Sequence, residues 1–239
     1  MRDGDTHHGV LGERPARPRA LLLDFYGTIV EEDDARIAAI CDEIAVASAQ
    51  GPTSQEVAAH WSERFAALCC ESNGPRFQSQ KALELLSLQD TLARYAAELD
   101  AEKLSQRLYE YWRRPPVFSE AREVLARCPI PTCLVSNIDN AELEVALAYT
   151  GFCFDAVVTS EDCRAYKPHP EPFLRALELL GLAPQETLHV GDSLQSDVRG
   201  AKGLNIPVLW VNRRGRKLPA EHDQPEFVSS DLRALLSVI

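Results

Sequence analysis

Three polar residues stand directly behind short apolar runs: Asp24 after Ala20–Leu23, Ser136 after 132–135, and Asp192 just past 188–190. Each run reads as a buried strand entering a turn. Two carboxylates and a hydroxyl, with Lys167 arriving on a loop, are the groups needed to hold a cation and a small anion together. In an open parallel sheet the carboxyl ends of strands are where ligand sites form. One polar residue behind a strand is an ordinary solvated turn. Three of them, joined by a lysine, point to one shared edge.

The elements that must carry these residues follow from the apolar pattern. Further strands are expected at 156–158, Val208–Val211 and 227–228, and helices at 141–150, 172–180 and 196–204. Gly151 and Gly181 end the first two helices. Strands alternating with helices of about ten residues predict an α/β fold, a doubly wound and mostly parallel sheet. The stretch 33–116 breaks the alternation. Helical spacing recurs there in Ile37, Ile40, Ile44; Val57, Trp61, Phe65, Leu68; Leu85, Leu88, Leu92, Leu99; and Leu104, Leu108, Trp112. Thr53-x-x-Glu56 reads as a capping box for the second of these helices, and Pro115-Pro116 closes the stretch. The expected organisation is a disordered polar tail over 1–18, with His7-His8 in it, a core domain over 19–32 and 117–239, and an inserted all-helical cap domain over 33–116.

Composition bounds the function. The chain has 239 residues, 45% of them hydrophobic and 26% charged, which supports a substantial core. Its net charge is −11, from 25 Lys+Arg against 36 Asp+Glu. Such a surface does not attract polyanions, so nucleic acid is excluded as a default partner. A small anionic substrate, held by local cations and a metal, stays compatible with it. No apolar run approaches the roughly 20 residues of a membrane span, and no apolar leader opens the chain, so a cytoplasmic monomer or homodimer is expected. The 7 cysteines lack any C-x-x-C spacing and read as buried reduced thiols.

Four pieces, in order, give the chain a family resemblance: Asp24-Phe25-Tyr26-Gly27-Thr28, Val135-Ser136-Asn137, Tyr166-Lys167-Pro168-His169-Pro170, and Gly191-Asp192-Ser193-Leu194-Gln195-Ser196-Asp197. With an all-helical insert after the first piece, the sequence resembles the haloacid dehalogenase (HAD) superfamily of hydrolases from about residue 20 to 228. The resemblance implies that Asp24 is the nucleophile, because a carboxylate can attack phosphorus or carbon and form a covalent intermediate. It implies that Thr28, Ser136 and Asn137 bind the transferring group and that Lys167 neutralises it and orients Asp24. It makes Asp24, the backbone carbonyl of Tyr26 and Asp192 ligands of Mg2+, with Asp197 one layer behind. Mg2+ takes hard oxygen ligands of this kind.

Tyr26 departs from the pattern. Phosphatases of the family usually carry a second Asp there, which protonates the leaving oxygen and later activates water. A phenol is a poor base at neutral pH. Tyrosine at this place also resembles the 2-haloacid dehalogenases of the superfamily, whose halide leaves without a proton. Those enzymes usually lack the Gly-Asp pair, use no metal and need a cap arginine for the substrate carboxylate; Arg36, Arg64 and Arg76 are candidates. Because Gly191-Asp192 is retained, and two carboxylates without a cation repel each other, the expected activity is a Mg2+-dependent phosphatase. It would act on a small phosphate monoester through an aspartyl-phosphate. The alternatives are a metal-independent dehalogenase-type hydrolase using Asp24, or a catalytically weak relative that binds phosphate esters. The basic run Arg213-Arg214-Gly215-Arg216-Lys217 reads as a solvated loop, His189 as a satisfied core residue, and His169, between two prolines, as structural.

Overall fold

The computed structural model describes residues 17–239, so His7-His8 and most of the expected tail lie outside the described residues. All six expected strands are present: β1 Ala20–Leu23, β2 Thr132–Ser136, β3 Ala156–Thr159, β4 Thr187–Gly191, β5 Val208–Val211 and β6 Phe227–Ser229. They form one parallel sheet in the order β3-β2-β1-β4-β5-β6. Chain order runs outward in one direction from β1 through β2 to β3, and in the other from β4 to β6. β1 and β4 therefore flank a topological switch point.

Alternation along β1 explains why helices cover both faces. Leu21 and Leu23 enter one hydrophobic cluster with Leu134, Val190 and Leu209, while Leu22 joins another with Val135, Phe173, Val208 and Trp210. A strand buried on both faces needs no polar position, and ALLL has none.

Between β1 and β2 come the four expected helices, α1 Asp34–Ala47, α2 Ser54–Glu71, α3 Gln80–Arg94 and α4 Ala101–Arg113. The capping box at Thr53 and Glu56 is formed. The insert is less self-contained than the bundle expected from the sequence. Ile40, Trp61, Leu88 and Trp112 belong to the same cluster as Leu21 and Leu23, so apolar packing runs unbroken from insert to sheet. The third apolar stripe is also displaced. α3 buries Leu83, Leu88 and Leu92 together with Glu84, Ser87 and Thr91, whereas Leu85 is only half-buried and Leu99 lies beyond the helix.

The remaining helices are α5 Ala121–Ala126, α6 Asn140–Thr150, α7 Ser160–Cys163, α8 Glu171–Leu180 and α9 Arg199–Lys202. α6 and α8 end at Gly151 and Gly181 as expected. α5 and α7 are too short to show a periodic stripe. The helix expected at 196–204 instead starts as a wide turn over Leu194–Val198, with Ser193 accepting from the Ser196 N–H at 3.1 Å, and continues as α9. All seven cysteines are free, but Cys70 and Cys153 are exposed, contrary to the buried thiols expected. Among the described residues no helix is long and apolar enough to cross a membrane.

Candidate functional site

Because β1 lies between β2 and β4, Asp24, Ser136 and Asp192 end neighbouring strands at one sheet edge. The Asp24 N–H donates to the Val190 carbonyl at 2.9 Å, which carries the ladder one residue past β1 and fixes the direction in which its carboxylate leaves the sheet. Lys167 reaches the same place from the loop after α7. Its Nζ is buried and donates to Asp24 Oδ1 at 2.8 Å, Asp197 Oδ1 at 2.6 Å and the Val135 carbonyl at 2.8 Å, using every proton it has. A cavity of about 300 Å³ opens above these groups. Sheet-side residues Asp24, Tyr26, Ser136, Asn137, Lys167, Asp192 and Asp197 line it, and Glu32, Asp33, Ile37, Gln80 and Trp112 close it from the start of the insert and its helices.

The electrostatics follow from one ammonium shared among several buried acids. Burial pushes the Asp197 carboxyl up, but Lys167 and His189 beside it more than offset this and hold it well below the usual range. Asp24 is raised, by burial first, with Lys167 opposing. Lys167 is itself raised: burial lowers it, and the carboxylates of Asp197 and Asp24 outweigh that. Asp192 is pushed up to about 8, by burial and then by Glu32, Asp24 and Asp197. Carboxylate oxygens of Asp24, Asp192 and Asp197 all lie within 4.8 Å of one another.

This donor set fits a hard divalent cation, being all oxygen, convergent and short of positive charge. Local backbone supports the fit. Gly27 has φ +84°, and a Cβ there would stand 2.5 Å from Asp192 Oδ1, so the turn after Asp24 is pressed directly against that carboxylate. Only glycine allows both the left-handed conformation and the approach.

Several expectations need correction. Thr28 is fully buried, its hydroxyl has no partner, and it does not line the cavity. Asn137 lines it, but its amide is spent on the Lys167 backbone, accepting from N–H at 2.8 Å and donating to C=O at 3.0 Å. A side chain on strand β2's turn thus locks the loop that delivers the lysine. Ser136, by contrast, keeps its place at the cavity wall. The Tyr26 hydroxyl donates to the Trp112 carbonyl at 2.6 Å, and burial holds its phenol protonated far above neutral pH. His189 is more than a satisfied core residue, since Nε2 contacts Asp197 Oδ1 at 3.0 Å while Nδ1 has no partner. His169 does not line the cavity, and its Nε2 lies 3.4 Å from Asn73 Nδ2.

The basic run is a loop exposed over residues 214–217, as expected, but its arginines are engaged rather than only solvated. Arg213 and Arg216 turn inward onto the carbonyls of Gly27, Thr28 and Asp192. Arg214 pairs with Glu32 and Asp34. Glu32, pushed up to about 7 by burial and then by Asp34, was also missed as a cavity residue. The available signals were positional: an acidic run beginning the insert, and a basic run following a strand that ends at the same edge.

The parallel α/β fold thus gathers the strand-end acids and the buried lysine at one sheet edge, under an inserted helical cap. The model of the haloacid dehalogenase-like hydrolases matches residues 18–205, and the chain belongs to that family. It is 35% identical over 134 residues to haloacid dehalogenase-like hydrolase domain-containing protein 3 of Danio rerio, covering 51% of this chain and 55% of that protein. It is 26% identical over 230 residues to a phosphoglycolate phosphatase of Pseudomonas putida, covering 92% of this chain and 79% of that protein. The chain spans about half the length of several curated relatives it matches. An L-2-haloacid dehalogenase of Xanthobacter autotrophicus shares the fold, with a TM-score of 0.72 at 22% identity over 91% of this chain and 96% of that one.

Proposed function

We propose that the protein is a Mg2+-dependent phosphatase that hydrolyses a small phosphate monoester. Residues 33–116 serve as its cap domain, residues 19–32 and 117–239 as its core, and the cytoplasm as its place of work. The observation that carries this reading is the convergence at the edge: three acids within 4.8 Å of one another around one buried ammonium, with Arg216 3.3 Å from Asp192. Their crowding raises Asp192 to about 8, and a divalent cation joining Lys167 would relieve it and let all three ionise beside an anionic substrate. Asp24, the Tyr26 carbonyl and Asp192 would hold that cation, with Asp197 behind them anchoring Lys167. Mg2+, when bound, supplies positive charge opposite the phosphoryl oxygens.

Asp24 is the nucleophile. Its carboxylate oxygen forms a bond to phosphorus while the ester P–O bond breaks, and the electron pair leaves with the alcohol oxygen, which takes a proton from water. Water then attacks the aspartyl-phosphate, regenerating the carboxylate and releasing phosphate. Lys167 opposes the burial that raises Asp24 and aims its carboxylate, and the Ser136 hydroxyl donates to a phosphoryl oxygen. Asn137 acts through Lys167, whose peptide it grips.

Tyr26 favours a second reading. With its proton committed to the Trp112 carbonyl, it does not serve as leaving-group acid, which suits halide displacement by Asp24. The dehalogenase fold neighbour fits the same reading. Against it, the cavity lining contains no arginine among the described residues. Arg64 is paired with Asp90, and Arg36 lies over the Tyr111 ring. A substrate carboxylate has no clamp there.

The deciding assay measures phosphate release across a panel of phosphate esters with Mg2+ and with EDTA, beside halide release from 2-chloropropionate. Phosphate release that EDTA stops and Mg2+ restores is expected. Halide release without metal, and no phosphate release, overturns the proposal. Asp24→Asn should abolish either activity, and Asp192→Asn only the metal-dependent one.

A further inference from the structure

The loop after β5 touches both sides of the acid site, and the assigned roles leave it unused. Asn212 holds the loop in shape: its Oδ1 accepts from the Arg216 N–H and its Nδ2 donates to the Arg216 carbonyl, both at 2.8 Å. From this frame two arginines diverge. Arg213 donates from Nη2 to the Thr28 carbonyl at 2.7 Å and from Nε to the Gly27 carbonyl at 3.3 Å. Its Nη1 pairs with the buried Glu120 at 2.7 Å, and its guanidinium lies 3.5 Å from the centre of the Phe118 ring. Arg216 donates from Nη2 to the Asp192 carbonyl at 2.6 Å and stands 3.3 Å from Asp192 Oδ2. Trp210 Nε1 donates to the same carbonyl at 2.8 Å.

These contacts meet where tolerance is smallest. The Gly27 backbone is packed so closely on Asp192 that a methyl group at Gly27 would overlap the carboxylate. Arg213 grips the turn that follows Asp24, and Arg216 grips the residue that faces it. An exposed salt bridge would contribute little. Arg213, however, is stacked, bound through three nitrogens and paired with a buried carboxylate, the planar geometry that a lysine cannot reproduce.

We propose that Arg213 and Arg216 are positioning residues that set the spacing between the Asp24 turn and Asp192, and so the affinity of the site for a divalent cation. This rests on the metal-dependent reading above. Groups that orient metal ligands from behind typically change affinity by about 10–100-fold when removed. Charge alone predicts the opposite sign, because deleting a nearby positive charge favours an incoming cation.

The test is Mn2+ binding to metal-stripped full-length protein by isothermal titration, with circular dichroism to check folding. The parent chain should bind one Mn2+, displaceable by Mg2+. Arg213→Met and Arg216→Met should each weaken Mn2+ binding about tenfold, and Arg213→Lys should recover part of the loss. Arg214→Gln, which removes an exposed charge from the same loop, should bind at least as tightly as the parent. If Arg213→Met does not fold, Glu120→Gln keeps the arginine but frees its orientation, and should weaken Mn2+ binding about threefold. A parent that binds no Mn2+ overturns the metal-dependent reading and this inference with it. A parent that binds Mn2+, with folded Arg213 and Arg216 variants that bind equally or more tightly, overturns the inference alone.

Discussion

The carboxyl edge of the sheet and the interior of the helical insert both bury charged groups, and they treat them in opposite ways. At the edge Lys167 donates to Asp24, Asp197 and a carbonyl, while Asp197 also accepts from His189 and from the Ser193 N–H at 2.9 Å. In the insert Glu84 is equally buried, yet among the described residues its carboxylate has no ion pair, and its Oε1 is unpartnered. Ser105 Oγ and Gln80 Oε1 are unpartnered too, and Gln80 lines the cavity. A satisfied buried network enforces one arrangement, and an unsatisfied polar atom costs stability. Around Lys167 the edge is thus built to hold fixed chemistry, although His189 Nδ1 and Thr28 Oγ1 behind it are unpartnered as well. The insert carries unspent hydrogen-bonding capacity close to the cavity, which is where substrate choice belongs under the proposed function.

The largest effect should come from breaking the edge. Lys167→Met leaves Asp24 and Asp197 buried without a counter-charge, and should cost about 3–5 kcal/mol in urea unfolding at pH 7. The signs of the shifts define the pH window. Asp197 is depressed in the folded state, so its stabilisation is present above the ordinary carboxylate pKa and disappears as pH falls. Lys167 is raised, so its share is complete below its ordinary pKa and disappears only in strong alkali. The loss caused by Lys167→Met should therefore shrink as pH falls and Asp197 protonates, whereas the raised Asp24 and Asp192 slope the other way in the parent. A loss under about 1 kcal/mol would mean that the edge is no better satisfied than the insert.

The same contrast explains what was legible in the sequence. Strands buried on both faces, such as β1 and β5, appear as uninterrupted apolar runs, the partly exposed edge strands β3 and β6 as short apolar runs, and the polar residues behind the central strands marked the edge. Lys167 was readable from its loop. What Asn137 and Thr28 do was not, because a side chain's partner depends on how the turn folds back, and spacing carries no record of that. Arg213 and Arg216 looked like a solvated run since their partners are backbone carbonyls of Gly27, Thr28 and Asp192, which have no sequence signature. In α3 the leucines at 85, 88 and 92 suggested an apolar face. The face actually buried includes Glu84, Ser87 and Thr91, a polar choice that periodicity of apolar residues does not register.

Glu84→Gln tests the insert directly. Burial, then Asp33, pushes this carboxyl up to about 8 from an ordinary 4.5. A raised acid binds its proton more tightly in the folded state, so the stability it contributes is complete below about pH 4.5 and is lost as pH rises through 8. That slope is opposite to the one from Asp197. The amide should be more stable than the parent at pH 9, by up to about 5 kcal/mol, and nearly equal to it at pH 4. Destabilisation at pH 9 would reveal a counter-charge for Glu84 and end the contrast between the two regions.

The smallest effect concerns a polar contact that the insert's interior does complete, at Trp61. Its Nε1 donates to Ser87 Oγ at 3.1 Å, and Ser87 Oγ donates onward to the Glu84 carbonyl at 2.9 Å. Trp61→Phe removes the first donor but leaves Ser87 with its second bond, so no orphaned group adds to the cost. Packing changes with the ring, so a double-mutant cycle with Ser87→Ala is needed to isolate the bond. Its coupling energy should be about 1 kcal/mol, that of a neutral hydrogen bond. A coupling near zero would extend the insert's unsatisfied character to Trp61 as well. A coupling above about 2 kcal/mol would put this contact on a par with the charge-assisted bonds of the edge, and the difference between the regions would then lie in Glu84 alone.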